Sequence, residues 1–222
     1  MTDLQQELQK GVFELNDSSD RFKNNIFRIS EIVGCPARIF YHRKLGLRPI
    51  MKGRMLSGII FHEHLQDIVK NIPEFANAEF EPECCQDFGD YKIVGHIDIL
   101  TADTVFEFKF SACDMQKYGV PEYWHLQANC YASITKRPFY KIVQVHSQDL
   151  SVTVIEGQQN EEMFQVLKDR AKTVFDCLQT GVVPVGPLAD WQCWDCECKE
   201  VCENFKAKIK EENKHRIIEL EK

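Results

Sequence analysis

The sequence predicts an α/β fold in which helices flank a central mixed sheet. Three consecutive segments between residues 78 and 112 alternate apolar and polar residues with a period of two, and the turn-rich spacers FGD and TAD separate them. Segments with helical spacing precede and follow this region. With 222 residues, 44% of them apolar, the chain is long enough to bury the core of one large domain.

Two helices are predicted before the sheet region. The segment PARIFYHRKLG opens with Pro36 and closes with Gly46, as expected for a helix with proline in its first turn and glycine after its last. The segment SGIIFHEHLQDIVKN, residues 57–71, repeats apolar residues at helical spacing behind Ser57, a candidate N-cap. Its apolar stripe consists of Ile60, Leu65 and Ile68.

The sheet region and the segments after it complete the predicted domain. AEFEPECCQ, YKIVGHIDIL and TVFEFKFSA predict an antiparallel three-stranded meander. PEYWHLQANCYASIT then predicts a mostly buried helix, FYKIVQVHS and LSVTVIEG predict strands, and EEMFQVLKDRAKTVFDCLQT predicts an amphipathic helix that ends at Gly181. We expect residues 1–20 to be an N-terminal extension, 21–205 a single domain and 206–222 a charged helical tail.

Composition narrows the class of protein. The first thirty residues lack the apolar core of a signal peptide, and no apolar run is long enough to cross a bilayer, so we expect a cytoplasmic protein. The net charge is −7, yet the segment from Arg21 to Leu56 holds nine Lys or Arg and one acid, a local charge of 9 − 1 = +8. This basic segment is either a solvated surface or a surface that binds an anionic partner.

Charged residues interrupt the hairpin GHIDILTADTVFEFKFSA, residues 95–112. Because side chains alternate along a strand, Glu107 and Lys109 share one face and the phenylalanines between them occupy the other. The hairpin can bring Asp98 beside Glu107, and two adjacent carboxylates repel unless a cation such as a hard divalent metal lies between them. A lysine there can orient or deprotonate a water that attacks phosphorus. The alternative is a surface salt bridge between Glu107 and Lys109.

The order Asp98, then Glu107-Phe108-Lys109, resembles the PD-(D/E)xK nuclease signature in the variant of the RecB-type nucleases. This resemblance implies a restriction-endonuclease-like core and a metal-dependent DNA nuclease whose catalytic residues are Asp98, Glu107 and Lys109. It also implies that Asp98, Glu107 and the backbone carbonyl of Phe108 ligate Mn²⁺ or Mg²⁺.

Two further motifs resemble those of the same family. Gly58-x-x-x-His62 is similar to its His motif, which implies that His62 joins the metal ligands. Gln127-Ala-Asn-Cys-Tyr131 resembles its Q-x-x-x-Y motif, whose polar side chains stand one helical turn apart and contact DNA at the rim of the active site. Each pair alone fits an ordinary helix, but the joint order of the motifs favours the nuclease.

Four cysteines lie within ten residues near the C-terminus: Cys193, Cys196, Cys198 and Cys202. Thiolates at this spacing converge on a metal, and four local ones can close a tetrahedral zinc site unaided. The resemblance implies a different set, in which Cys193, Cys196 and Cys202 are completed by Cys35 and hold an iron-sulphur cluster of the four-iron four-sulphur type. That pattern looks like the iron-sulphur RecB-type nucleases, best matched by the CRISPR-associated Cas-four family, and Cys198 departs from it.

The resemblance implies an exonuclease that acts on single-stranded or end-bearing DNA, with the basic segment lining a DNA channel. It further implies that the enzyme trims DNA fragments before CRISPR integration, with the CRISPR integrase as partner. One alternative is a stand-alone repair or viral nuclease of the same fold. Another is a non-catalytic DNA-binding or assembly subunit stabilised by zinc or a cluster, although such a module has no use for Asp98, Glu107 and Lys109 together.

Overall fold

The computed structural model describes residues 23, 25–47, 53–186, 191–194, 196–204 and 206. The expected N-terminal extension lies outside these residues, as does all of the expected tail except Lys206. Within the described ranges, no helix is both long and apolar enough to span a membrane.

Two sheets form the centre of the domain. The five-stranded sheet has the order β2 (Glu79–Phe80), β5 (Ile99–Leu100), β6 (Thr104–Ser111), β7 (Phe139–His146) and β8 (Val152–Gln158). The three-stranded sheet has the order β1 (Ile26–Arg28), β4 (Lys92–His96) and β3 (Glu83–Asp87). In each sheet one pair is parallel, β6 with β7 and β1 with β4, and the other neighbours are antiparallel. The predicted mixed α/β architecture is confirmed.

Helices cover these sheets. They are α1 (Ile29–Ile32), α2 (Pro36–Leu45), α3 (Gly53–Val69), α4 (Met115–Tyr118), α5 (Glu122–Thr135), α6 (Glu161–Thr180) and α7 (Trp191–Trp194), with a 3-10 turn at Pro73–Phe75. Proline opens α2 as predicted, and Gly46 ends it in the left-handed conformation with a φ of 63°. Gly181 ends α6 in the same way, with a φ of 79°.

The predicted start of α3 and the predicted burial of Ile60 and Ile68 are wrong, whereas Leu65 packs against the apolar core as predicted. The helix begins at Gly53, and the Ser57 hydroxyl donates to the Gly53 carbonyl at 2.9 Å, so Ser57 lies inside the helix and does not cap it. Ile60 and Ile68 are 58% and 50% exposed. The helix instead packs with Val69 buried, because at about 100° per residue the isoleucines fall on a different face from Val69.

The two faces of β6 lie against different parts of the core. On one side Phe108 packs with Val69 of α3 and Ile99 of β5 in a small apolar cluster. On the other side β6 contacts α5, and Glu107 is 4% exposed there. The alternation predicted for β6 is therefore confirmed, and Glu107 and Lys109 do not lie on an exposed sheet face.

Candidate functional site

Asp98 lies at a corner between the two sheets. The predicted meander is interrupted here, because the hairpin of β3 and β4 belongs to one sheet and its continuation, β2 with β5, belongs to the other. Opposite Asp98, Glu81 has a positive φ of 54°, and its N–H donates to the Asp98 carbonyl at 3.2 Å. The Ile97 N–H donates to the Pro82 carbonyl at 3.0 Å, so the pairing continues through the bend. The bend leaves Asp98 buried where the sheets meet.

Lys109 makes one hydrogen bond within β6 and one to α5. Its Nζ donates to Glu107 Oε1 at 2.6 Å and to Gln127 Oε1 at 2.8 Å. Gln127 Nε2 in turn donates to the Tyr131 hydroxyl at 3.3 Å. Gln127 and Tyr131 lie one turn apart on the face of α5 that covers the strand, which is where the i, i+4 spacing predicts them. The ammonium is thus held between Glu107 of β6 and Gln127 of α5.

Asp98 bridges the strand and α3. Its Oδ2 accepts a hydrogen bond from the Phe108 N–H at 2.5 Å, and its Oδ1 lies 2.9 Å from His62 Nε2. The structure therefore brings six predicted side chains into one group, whose two halves meet at the Phe108 N–H. These side chains are His62, Asp98, Glu107, Lys109, Gln127 and Tyr131.

Two buried carboxylates, those of Asp98 and Glu107, dominate the electrostatics of this group. Burial raises the pKa of Glu107 to about 7, and the negative charge of Asp98 adds to the rise, while Lys109 and His62 oppose it. The hydrogen bond to Asp98 raises the pKa of His62. Glu107 Oε2 is buried and has no hydrogen-bond partner within the described part of the chain. An unpartnered buried carboxylate oxygen is costly unless a cation binds it.

These donors fit a hard divalent cation. Carboxylate oxygens with one imidazole suit Mn²⁺ or Mg²⁺, and Glu107, with its unpartnered Oε2, is close enough to Asp98 and His62 for their charges to shift its pKa. Ligand atoms of His62, Glu81 and Asp98 lie within 4.8 Å of one another. Such a group can bind a cation that neutralises the carboxylates and polarises a phosphate.

A cleft of about 290 Å³ opens next to this site. Asp98, Gln127 and Tyr131 contribute to its wall, and Arg28 and Gly95 lie on the opposite strands. Gly95 is required for close packing, because a Cβ there would lie 2.6 Å from Tyr131 Cε1. The position of the Tyr131 ring therefore depends on the absence of a side chain at residue 95.

We expect Gly95→Ala to displace Tyr131 and to destabilise the protein by about 1–3 kcal/mol, the usual cost of overpacking a core. Thermal unfolding measures this loss. Gly58→Ala is a matched control, because nothing lies within 4 Å of a Cβ at Gly58 and alanine is the better helix former. The control should raise the unfolding temperature, and a Gly95→Ala protein that unfolds at or above the wild-type temperature would contradict the packing argument.

The cysteines of the predicted cluster come from both ends of the described chain. Cys35 precedes α2, and burial raises the pKa of its thiol to about 11, with further increases from the nearby Cys196 and Cys202. Cys198 is 1% exposed, and its thiol forms a hydrogen bond with Cys196 that lowers the pKa of Cys196 to about 6. The fold thus places Cys35 near Cys196 and Cys202, which fits a group held by thiolates from distant segments.

An ion pair that the sequence did not suggest joins the same segments. Glu197, between two of the cysteines, accepts hydrogen bonds from Arg38 Nε at 2.9 Å and Nη2 at 3.1 Å. Its Oε1 lies 2.5 Å from His42 Nε2. Burial alone would raise the pKa of Glu197, but His42 and Arg38 hold it at about 2. The cysteine segment, residues 196–202, is therefore fixed to α2 by these side-chain contacts, in addition to any metal that its thiolates bind.

Two arginines of the predicted basic segment make contacts that stabilise the fold. Arg38 pairs with Glu197, and the Arg43 guanidinium donates to Glu31 Oε2 at 3.0 Å and to the Ile26 carbonyl at 3.1 Å. Arg28, by contrast, lines the cleft beside Asp98. The local charge of +8 is therefore not all available to a partner.

Sequence reasoning also missed Glu81 and Gly95. Glu81 faces Asp98 only because the hairpin bends, and a positive φ at a glutamate followed by proline has no sequence signal. Gly95 did carry a signal, since an isolated glycine inside a strand often marks a close approach of another group.

No protein-family model and no curated protein matches the chain. Solved structures share its fold. SSO0001 is 22% identical with a TM-score of 0.65, and the alignment covers 92% of this chain and 98% of that one. An alkaline exonuclease (LHK-Exo) from Laribacter hongkongensis is 11% identical with a TM-score of 0.54, and the alignment covers 74% of this chain and 94% of that one.

A phage-related exonuclease from Haemophilus somnus is also similar in structure. It is 12% identical with a TM-score of 0.51, and the alignment covers 66% of this chain and 81% of that one. At these identities the likeness establishes the fold, a mixed sheet flanked by helices as in those exonucleases.

Proposed function

We propose that the protein is a divalent-metal-dependent DNA exonuclease that acts on single-stranded or end-bearing DNA. The observation that carries the proposal is the unpartnered oxygen of Glu107, buried beside Asp98 and His62 with the Lys109 ammonium on its other oxygen. The names of the structural neighbours support DNA as the substrate, since LHK-Exo and the phage-related protein are exonucleases.

In this proposal His62, Asp98, Glu107 and the Phe108 carbonyl ligate Mn²⁺ or Mg²⁺. A cation bound there would lower the pKa of a water and neutralise charge on the scissile phosphate. The Phe108 N–H holds Asp98 Oδ2 in place, and the ion would replace the proton that joins Asp98 Oδ1 to His62 Nε2.

Lys109 acts on the reacting groups in this proposal. Its Nζ is oriented by Glu107 and Gln127, and an ammonium so held can position the attacking water or donate to a phosphate oxygen. Gln127 and Tyr131 of α5 bind the DNA strand in the cleft, and Arg28 of β1, which also lines the cleft, contacts a backbone phosphate.

The test is cleavage of end-labelled single-stranded DNA by the purified protein with Mn²⁺ or Mg²⁺. We expect shortened products that increase with time and disappear when a chelator removes the metal. Asp98→Ala should abolish both cleavage and tight Mn²⁺ binding, because it removes a ligand that the rest of the site is built around. A wild-type protein that binds DNA but cuts neither single strands nor ends with any divalent metal would overturn the proposal.

We also propose that Cys35, Cys193, Cys196 and Cys202 hold a four-iron four-sulphur cluster. Support comes from the cysteine spacing and from the proximity of Cys35 to Cys196 and Cys202. Cys198 lies apart from this set in the proposal, and its burial and its contact with Cys196 give it a structural role.

The pathway we propose is CRISPR adaptation, in which the enzyme trims DNA fragments before their integration. The motif order and the cysteine pattern support this proposal through their resemblance to the Cas-four family. The corresponding partner is the CRISPR integrase. Co-purification of the two proteins, and products whose length suits integration, are the expected results; an integrase that neither binds this chain nor uses its products would contradict the assignment.

A further inference from the structure

Glu81 belongs to none of the nuclease motifs, yet it lies at the metal site. It occupies the bend opposite Asp98, where its N–H donates to the Asp98 carbonyl at 3.2 Å. Its φ of 54° is a left-handed conformation that residues with a Cβ disfavour. Strained residues of this kind cluster where a side chain must be aimed at a ligand.

The Glu81 carboxylate is oriented toward the predicted ligands. Its Oε1 lies 3.6 Å from His62 Nδ1 and accepts a hydrogen bond from Gln66 Nε2. Gln66 is buried one turn after His62 on α3, so the helix places a neutral donor behind Glu81. The Glu81 side chain remains 42% exposed, which leaves it accessible to an ion that enters from solvent.

Independent support for a cation comes from Glu107, whose Oε2 is buried without a hydrogen-bond partner in the described structure. Glu81 adds a second carboxylate to the His62 and Asp98 pair, and ligand atoms of these three residues lie within 4.8 Å of one another. Like charges at this separation are stable together only when a cation offsets them. Resting on the nuclease function proposed above, we propose that Glu81 is a further ligand of its divalent cation and that Gln66 is the residue that positions it.

The test is Mn²⁺ binding, measured by titration calorimetry and by electron paramagnetic resonance, so that no catalytic readout is needed. Glu81→Gln should weaken Mn²⁺ affinity at least 10-fold, since changes around a metal site commonly cost 10- to 100-fold. Glu79→Gln is the matched control, because Glu79 is exposed on the same hairpin, loses the same charge and lies outside the ligand group. The control should bind Mn²⁺ as the wild type does.

The variant Glu81→Gly removes the carboxylate ligand but keeps a residue that can adopt the backbone conformation of the bend. Glycine adopts a φ of 54° without strain, so this variant should unfold at a temperature no lower than that of the wild type. It should nevertheless lose Mn²⁺ affinity as Glu81→Gln does. If either Glu81 variant binds Mn²⁺ with wild-type affinity, Glu81 is not a ligand and the inference fails.

The outcomes distinguish this inference from the proposed function. Wild-type protein that cuts DNA, together with unchanged Mn²⁺ affinity in the Glu81 variants, overturns the inference alone. Wild-type protein that binds Mn²⁺ through Glu81 but never cuts DNA overturns the proposed function alone. A wild-type protein that binds no Mn²⁺ overturns both.

Discussion

Lys109→Ala is expected to reduce cleavage of end-labelled single-stranded DNA by about 10²- to 10⁴-fold, the usual cost of removing a positioned acid-base or electrostatic group. The reason is its geometry. Nζ lies 2.6 Å from Glu107 and 2.8 Å from Gln127, so the ammonium is fixed where the phosphate would react. Lysine has no lone pair for a metal while it is protonated, so Mn²⁺ affinity should be equal to that of the wild type or tighter.

Lys92→Ala is the control for this variant. It removes the same charge from β4, where Lys92 is exposed and paired with Asp87, and it should cut at the wild-type rate. Binding of the DNA, measured in Ca²⁺ or at low temperature, should be nearly unchanged in both variants. Wild-type cleavage rates in the Lys109→Ala protein would refute the role given to Lys109.

Cys35→Ala is expected to abolish the iron-sulphur cluster. Protein purified without oxygen should be brown, with about four iron atoms per chain, and this variant should be colourless. A cluster that joins Cys35 to Cys193 closes a loop of 193 − 35 = 158 residues. By the chain-entropy relation for a cross-link, opening a loop of that length lowers stability by about 4–5 kcal/mol, which denaturant unfolding would detect.

Two other cysteine variants provide the comparison. The Cys85→Ala protein should remain brown, because Cys85 is exposed on β3 and is not one of the proposed cluster ligands. Cys198→Ala should also retain iron, because the proposed ligand set excludes Cys198, although its burial predicts some loss of stability. A colourless wild-type protein with one zinc ion that survives Cys35→Ala would show instead that the four local cysteines form the site.

Local sequence patterns were enough to predict much of the fold and which site residues share a face of a strand or helix. The period of two along β6 placed Glu107 and Lys109 on one face, and this outcome depends only on strand geometry. The i, i+4 spacing placed Gln127 and Tyr131 together for the same kind of reason. The ends of α2 and α6 were predictable because proline and glycine act on their own backbone.

Features that depend on distant contacts were not predictable. The start of α3 was missed because Ser57 has the chemistry of a cap wherever it occurs, while only the fold decides that its hydroxyl bonds to Gly53. The exposure of Ile60 was missed because periodicity identifies an apolar stripe without showing which face meets the sheet. The bend at Glu81 depends on how two sheets meet, and no local residue type specifies it.

The hydrogen bonds between Glu197 and α2 affect the order in which the parts of this region can assemble during protein synthesis. Glu197 bonds to Arg38 and His42, which lie 159 and 155 positions earlier. Since a chain leaves the ribosome from its N-terminus, α2 and Cys35 emerge long before the residues that complete their surroundings. Iron for the proposed cluster would therefore be delivered after most of the chain has been translated. A chain halted before Cys193 would contain every ligand of the proposed divalent-metal site and none of the C-terminal contacts of α2.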